Sequence, residues 1–220
     1  MTSLYSGTKP PLLSDDIIKR AKLLNTTLLS DVMGCAGAMD YAIKPAASGM
    51  KVFGTAMTVS LRPGDNLFLH KAISIGGKGF VLVADGKGHV ANAYLGELMA
   101  EAAKTLGLEG IVIDGAARDR EALCELNLPI FCKGFVPNGP HKDGPGTLNT
   151  PVSCGGVAVQ PGDLIVGDDD GVVVVPRDMI KNVLGLAEKK ADYEEKRKQA
   201  IRSGNVEPAW LKDKMEPFGL

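Results

Sequence analysis

Phe80-Val81-Leu82-Val83-Ala84, then Leu95 to Leu106, then Ile111-Val112-Ile113, then Arg120 to Leu126 and finally Ile130-Phe131 read in order as strand, helix, strand, helix, strand. Short apolar β-rich runs alternating with longer helical stretches make a βαβαβ unit. The alternation implies parallel strands joined by right-handed crossovers. In such sheets functional groups collect at the carboxyl ends of the strands.

Toward the N-terminus, Ser14-Asp15-Asp16 precedes apolar positions at helical spacing and caps a first helix, and Thr26-Thr27 opens a second short one. Val52 to Leu61 reads as a strand ended by the turn Arg62-Pro63-Gly64-Asp65, and Asn66 to Ile75 as a helix. After Thr150 the character changes. Strands at Val152 to Gln160, Leu164-Ile165-Val166 and Val172 to Val175 are separated only by Pro161-Gly162-Asp163 and Asp168-Asp169-Asp170-Gly171, which read as turns between antiparallel strands. Arg177 to Arg202 is one long charged helix ended by Ser203-Gly204, followed by a polar tail to Leu220. No linker rich in proline, serine or charge divides the chain. The expectation is one mixed α/β domain over 1–220, with a core at about 14–204.

Composition narrows the function classes. The 220 residues carry 25 Lys+Arg against 26 Asp+Glu, a formal charge of −1, so nothing drives the whole chain toward nucleic acid or an acidic membrane. No stretch approaches the roughly 18 to 20 apolar residues of a membrane span. The N-terminus lacks the apolar core of a signal peptide, which points to the cytoplasm. Cys35, Cys124, Cys132 and Cys154 lack the close pairs of a zinc or redox site and read as small buried residues in a reducing compartment. Many of the 27 glycines cluster between apolar runs, as at Gly76-Gly77-Lys78-Gly79, Gly86-Lys87-Gly88 and Gly155-Gly156, as many tight turns require.

The chemistry is carried by Asn92-Ala93-Tyr94-Leu95-Gly96-Glu97-Leu98-Met99 and by Asp114-Gly115-Ala116-Ala117-Arg118-Asp119. The first sets Gly-Glu-Leu-Met at a helix start, where unpaired N–H groups attract an anion. The second sets an arginine beside an aspartate at the carboxyl end of a strand. Alone such a pair is an ordinary surface ion pair. Here the arginine offers a planar fork to a carboxylate, and the aspartate offers hard oxygen to Mg²⁺ or Mn²⁺.

Glu97, twenty intervening residues and Arg118-Asp119 resemble the acidic-x20-Arg-Asp signature of the 4-hydroxy-4-methyl-2-oxoglutarate/4-carboxy-4-hydroxy-2-oxoadipate aldolases and the related RNase E activity regulators, the RraA-like proteins. Lys142-Asp143-Gly144-Pro145-Gly146, Pro151-Val152-Ser153-Cys154-Gly155-Gly156 and Pro161-Gly162-Asp163 through Pro176 extend the likeness over roughly 14–204. The resemblance implies a layered α/β/β/α sandwich with mixed sheets and a long C-terminal helix. It implies a divalent-metal-dependent aldolase that releases pyruvate from a 4-hydroxy-2-keto acid and also decarboxylates oxaloacetate. Asp119 would be the direct ligand of Mg²⁺ or Mn²⁺. Arg118, with Gly96, Glu97 and the amides of Leu98 and Met99, would hold the pyruvate carboxylate. Glu97 and Glu194, with Glu195 as second choice, would orient metal-bound water. Glu194 would come from a neighbouring copy in a homotrimer or a dimer of trimers. One departure is Glu97, where the aldolases commonly have Asp; the extra methylene adds about 1.5 Å of reach. The alternative the resemblance carries is a regulator that binds RNase E without catalysis.

Other candidates carry less. Asp168-Asp169-Asp170-Gly171 lacks a calcium loop's spacing and reads as a turn. Asp85-Gly86-Lys87-Gly88 lacks a phosphate-loop pattern. His70, His89 and His141 share no metal-ligand spacing. His141, with Lys142 in the loop Gly139 to Gly146, is a candidate for a substrate's distal carboxylate or else an exposed loop residue. No lysine stands out for Schiff-base chemistry.

Overall fold

The computed structural model describes residues 5–219. Ser14 accepts a hydrogen bond from Ile17 N–H and starts α1 (Asp15–Ala21), and Asn25 accepts from Leu28 N–H at the start of α2 (Thr26–Val32). There follow β1 (Lys44–Pro45), β2 (Val52–Ser60), α3 (Leu67–Ser74), β3 (Phe80–Leu95), α4 (Glu97–Thr105), β4 (Gly110–Ala117), α5 (Arg120–Glu125) and β5 (Ile130–Cys132). The second half supplies β6 (Gly134–Phe135), β7 (Thr147–Leu148), β8 (Val152–Cys154), β9 (Val157–Val159), β10 (Leu164–Asp168), β11 (Gly171–Val175), α6 (Ile180–Arg202) and α7 (Ala209–Met215).

The main sheet is mixed, in the order β1-β5-β4-β3-β2-β10-β11, with β6 beside β4 and β7 beside β2. Its centre, β2-β3-β4-β5, is parallel, while β10 pairs antiparallel with β2 and β11. The segment just before β1 lies along the opposite edge: Met39 N–H donates to Val172 O and Val174 N–H to Gly37 O. The sheet therefore bends round until its two edges nearly meet.

Strand periodicity sorts the side chains into layers. Val81, Val83, Val112, Ile165, Val172 and Val174 face the interior of the curved sheet, where Val152, Cys154 and Val159 of the β8-β9 hairpin fill it. The alternate residues Leu82, Ala84, Ile111 and Ile113 face out under α3, α4 and α5. Leu164, Val166, Val173 and Val175 face out under α1, α2 and α6. The result is the α/β/β/α layering, with a mixed sheet and a long C-terminal helix.

Four local expectations are corrected. Cys35 is exposed and Cys124 half-buried, so only Cys132 and Cys154 are the small buried residues expected. Val152 to Gln160 is a hairpin, because Gly155 and Gly156 both take positive φ (57° and 79°) and reverse the chain. Consequently Pro161-Gly162-Asp163 links that two-stranded sheet to β10 and does not join two paired strands. The C-terminal tail contains α7 and a 3-10 turn at Glu216–Phe218, with Arg197 donating to the carbonyls of Asn205 and Val206 to fold it back.

Candidate active site

Parallel pairing places the site. β3 is long and bulged, its register with β4 shifting between Ala84 and Leu95, and it ends with Leu95 opposite Ala117. Gly96 and Arg118, the next residues on each strand, therefore stand side by side. Arg118 N–H donates to Leu95 O at 2.9 Å. Asp119 adopts a left-handed conformation (φ 59°, ψ 45°), which aspartate tolerates better than most residues, and this turns its carboxylate toward α4.

There Asp119 Oδ2 accepts the Glu97 backbone N–H at 3.0 Å, so the aspartate at the start of α5 caps α4 across space. Arg118 Nε lies 3.6 Å from the same oxygen. Gly96 has extended backbone (φ −137°), so its need is spatial. A Cβ there would collide with Asp119 Oδ2 and lie 3.1 Å from Arg118 Nε. The first-turn amides of Leu98 and Met99 have no intrahelical partner, and the helix dipole adds partial positive charge.

Arg118, Asp119 and the Gly96-to-Met99 turn line a cavity of about 460 Å³. Asn66, His70 and Lys142 line it too. His70 is exposed at the surface, but partial desolvation of its ring, and next the Lys142 charge, hold its imidazole below the ordinary value of 6.5. Asn66 is buried and donates to Tyr94 O (2.9 Å) and Met99 Sδ (3.2 Å), tying α3 to the start of α4.

The loop carrying Lys142 is held from below by Asp65. Its Oδ2 accepts the N–H groups of Asp143 (2.6 Å) and Gly144 (2.9 Å), and its Oδ1 accepts that of Leu67 (2.9 Å). Burial opposes ionisation of Asp65, but these three amides outweigh it and hold the carboxyl below its ordinary range.

The structure thus brings together Gly96, Glu97, Leu98, Met99, Arg118 and Asp119. Glu194 and Glu195 lie on α6, and no α6 residue lines this cavity within the chain. Glu194 instead sits by Lys190, whose amine pairs with Asp31 at 2.7 Å. In the Gly139-to-Gly146 loop, Lys142 lines the cavity, whereas exposed His141 does not and pairs through its backbone with Gly64 and Asn66. His70 and Asn66 were not singled out by sequence. Their signal was positional: they follow the turn after β2, at the same sheet end as Arg118.

Among the described residues no three His, Cys, Asp or Glu side chains converge as a metal cage. Asp119 Oδ2 takes the Glu97 N–H, no hydrogen bond among the described residues ends on Oδ1, and the Glu97 carboxylate on the adjacent turn is exposed. One or two hard carboxylates with room for water suit Mg²⁺ or Mn²⁺, which bind through few protein oxygens, and do not suit a Cys/His zinc site. No helix among the described residues is long and apolar enough to cross a membrane.

A family model described as "RraA-like: Aldolase/RraA" matches residues 21–174. A protein of Halalkalibacterium halodurans, provisionally named a 4-hydroxy-4-methyl-2-oxoglutarate aldolase, is 44% identical over 191 residues, covering 87% of this chain and 90% of its own. Among solved structures, an uncharacterized protein from Pseudomonas syringae pv. tomato aligns with a TM-score of 0.77 at 28% identity, over 89% of this chain and 96% of its own. The RNA-processing inhibitor RraA from Thermus thermophilis aligns with a TM-score of 0.64 at 32% identity, over 69% of this chain and 92% of its own.

Proposed function

We propose that this chain, which belongs to the RraA-like family of aldolases and RraA proteins, is a lyase cleaving a 4-hydroxy-2-keto acid with a second carboxylate, of the 4-hydroxy-4-methyl-2-oxoglutarate or 4-carboxy-4-hydroxy-2-oxoadipate type, into pyruvate and a second keto acid. The observation that carries this reading is that one cavity is lined both by the Arg118-Asp119 pair with the start of α4 and by Lys142 and His70. Lys142 offers a cation, and His70 a ring nitrogen, to a second carboxylate.

The Arg118 fork and the amides of Leu98 and Met99 take the carboxylate next to the keto group. Asp119, with Glu97 nearby, would hold a divalent cation, and that cation would supply an electron sink for the keto group. Glu97, acting through a water, accepts the C4 hydroxyl proton as the C3–C4 bond breaks. The bonding pair moves to C3, the C4 oxygen becomes the carbonyl of the second product, and return of the proton to C3 completes pyruvate. Loss of CO₂ from oxaloacetate leaves the same carbanion, so oxaloacetate decarboxylation accompanies the main reaction. Glu194 of a neighbouring copy, in a homotrimer or a dimer of trimers, is the second carboxylate beside the water.

The test is pyruvate release from purified protein with Mg²⁺ or Mn²⁺, abolished by EDTA and restored by added metal. Turnover that survives EDTA and is trapped by borohydride would mean a lysine Schiff base instead. The structural likeness to the inhibitor RraA favours a second reading, a regulator that binds RNase E. Metal-independent capture of RNase E by a protein that releases no pyruvate would establish that alternative.

A further inference from the structure

Two of the elements that line the cavity share one buried carboxylate. Asp65 Oδ1 accepts the N–H of Leu67, the first residue of α3, and three residues later that helix presents His70 to the cavity. Asp65 Oδ2 accepts the N–H groups of Asp143 and Gly144, immediately after Lys142. The backbone seconds this tie, with His141 N–H donating to Gly64 O at 2.8 Å and Asn66 N–H to His141 O at 3.0 Å. Arg62 Nη1 adds a bond to Gly144 O at 3.1 Å. On its other flank the loop is pinned by Asn92 Nδ2, which donates to Gly139 O at 2.7 Å, close against Arg118.

We infer that Asp65 is a positioning residue for substrate choice: by clasping α3 and the Lys142 loop at once, it fixes where the Lys142 ammonium and the His70 ring stand relative to Arg118, and so selects a keto acid carrying a second carboxylate. This rests on the proposed reading of the cavity as a keto-acid site. Asp65 itself touches no substrate. Lys142 is exposed, and the N–H groups of the two residues that follow it both end on Asp65, so without the clasp the loop loses that anchor and the ammonium is placed less narrowly. An ion pair with a freely moving lysine contributes little to selectivity, whereas a preplaced one contributes fully, because the ordering cost has already been met in folding.

Calorimetric titration of the protein with 2-oxoglutarate and with pyruvate, in the presence of Mg²⁺, reads this directly and needs no turnover. The wild type is expected to bind 2-oxoglutarate at least about tenfold more tightly than pyruvate, as one well-placed charge-assisted bond provides. Asp65→Asn should shrink that ratio to within about twofold while leaving pyruvate affinity unchanged, and Lys142→Ala should do the same. A folded Asp65→Asn that keeps the full ratio overturns the inference. So does one that weakens both ligands equally, which is what a merely structural role would give. A wild type that does not discriminate overturns it too. If Asp65→Asn fails to fold, Asp65→Ser carries the test, since its hydroxyl still accepts from Leu67 N–H but cannot span to the loop. A wild type that discriminates yet releases no pyruvate would refute the aldolase reading and leave this one standing.

Discussion

Two charged groups grow from the same strand, four residues apart, and they are built in opposite ways. Asp114, inside β4, is buried with its Oδ1 2.8 Å from Lys133 Nζ and its Oδ2 accepting Gly155 N–H at 3.0 Å. Lys133 reaches on to Asp40 at 3.1 Å, and Asp40 accepts Ala42 N–H. The Asp114 hydrogen bond first, against desolvation, pushes the Lys133 amine up; the Ala42 amide first, then Lys133, holds Asp40 down. Arg118 and Asp119, just past the strand end, are 44% and 43% exposed, and their mutual contact is a loose 3.6 Å. A buried charge must be fully paired to be tolerated, and once paired it has nothing left for a ligand. An exposed charge left half-paired beside a helix start keeps its capacity to bind.

That contrast is broken most directly by exchanging the consequences. Arg118→Ala and Asp119→Asn should each lower pyruvate release by about 10² to 10³-fold. Both should leave stability within about 1 kcal/mol, as for exposed charges. Asn keeps an oxygen for the Glu97 N–H, so Asp119→Asn removes the anionic ligand without removing the cap. Lys133→Met should do the reverse. Leaving the Asp114 carboxylate buried without its cation should cost about 3 kcal/mol in chemical denaturation, with turnover of the folded fraction reduced far less. If Lys133→Met abolished turnover at unchanged stability, the division between the two groups would be wrong.

Gly96→Ala tests the boundary between them. The backbone there accommodates alanine, so the effect comes only from the methyl group driving Asp119 and Arg118 apart. Asp119 is free to swing into solvent. Turnover should fall about tenfold or more through lost positioning, and stability by about 1 kcal/mol through the lost cap on α4. Full activity in the folded variant would show that Asp119 does not act from the place it occupies here.

Local pattern made most of the fold readable. The βαβαβ centre, the Ser14 cap and the β10-β11 hairpin each follow from residues within a few positions of one another. What escaped was set by distance in sequence. The closing of the sheet depends on Gly37 to Met39 lying along β11, and the hairpin at Gly155-Gly156 depends on which sheet the two arms join. The site divides the same way. Gly96 to Met99 and Arg118-Asp119 carry their chemistry in contiguous motifs, whereas His70, Asn66 and Asp65 gain theirs only when the turn after β2 meets the loop before Gly144. His141 and Lys142 are neighbours in the chain, and which of the two lines the cavity follows from how the loop pairs with Gly64 and Asn66, not from local sequence.

The smallest effect concerns protons. A base held below its ordinary value binds a proton more readily in the unfolded chain, so through His70 the protein loses stability as pH falls below about 6.5. A carboxylate seated between His70 and Lys142 acts the other way, favouring the charged ring. Binding of 2-oxoglutarate should therefore take up protons and tighten as pH falls through the His70 value of the complex, levelling off below that of the free protein. Pyruvate, without the second carboxylate, should show no such slope. In Lys142→Ala, an NMR titration should find the His70 ring shifted back toward 6.5 but short of it, because desolvation is the larger cause and remains. A ring that did not move would place Lys142 too far away to share a carboxylate with His70, and would make the two unrelated groups.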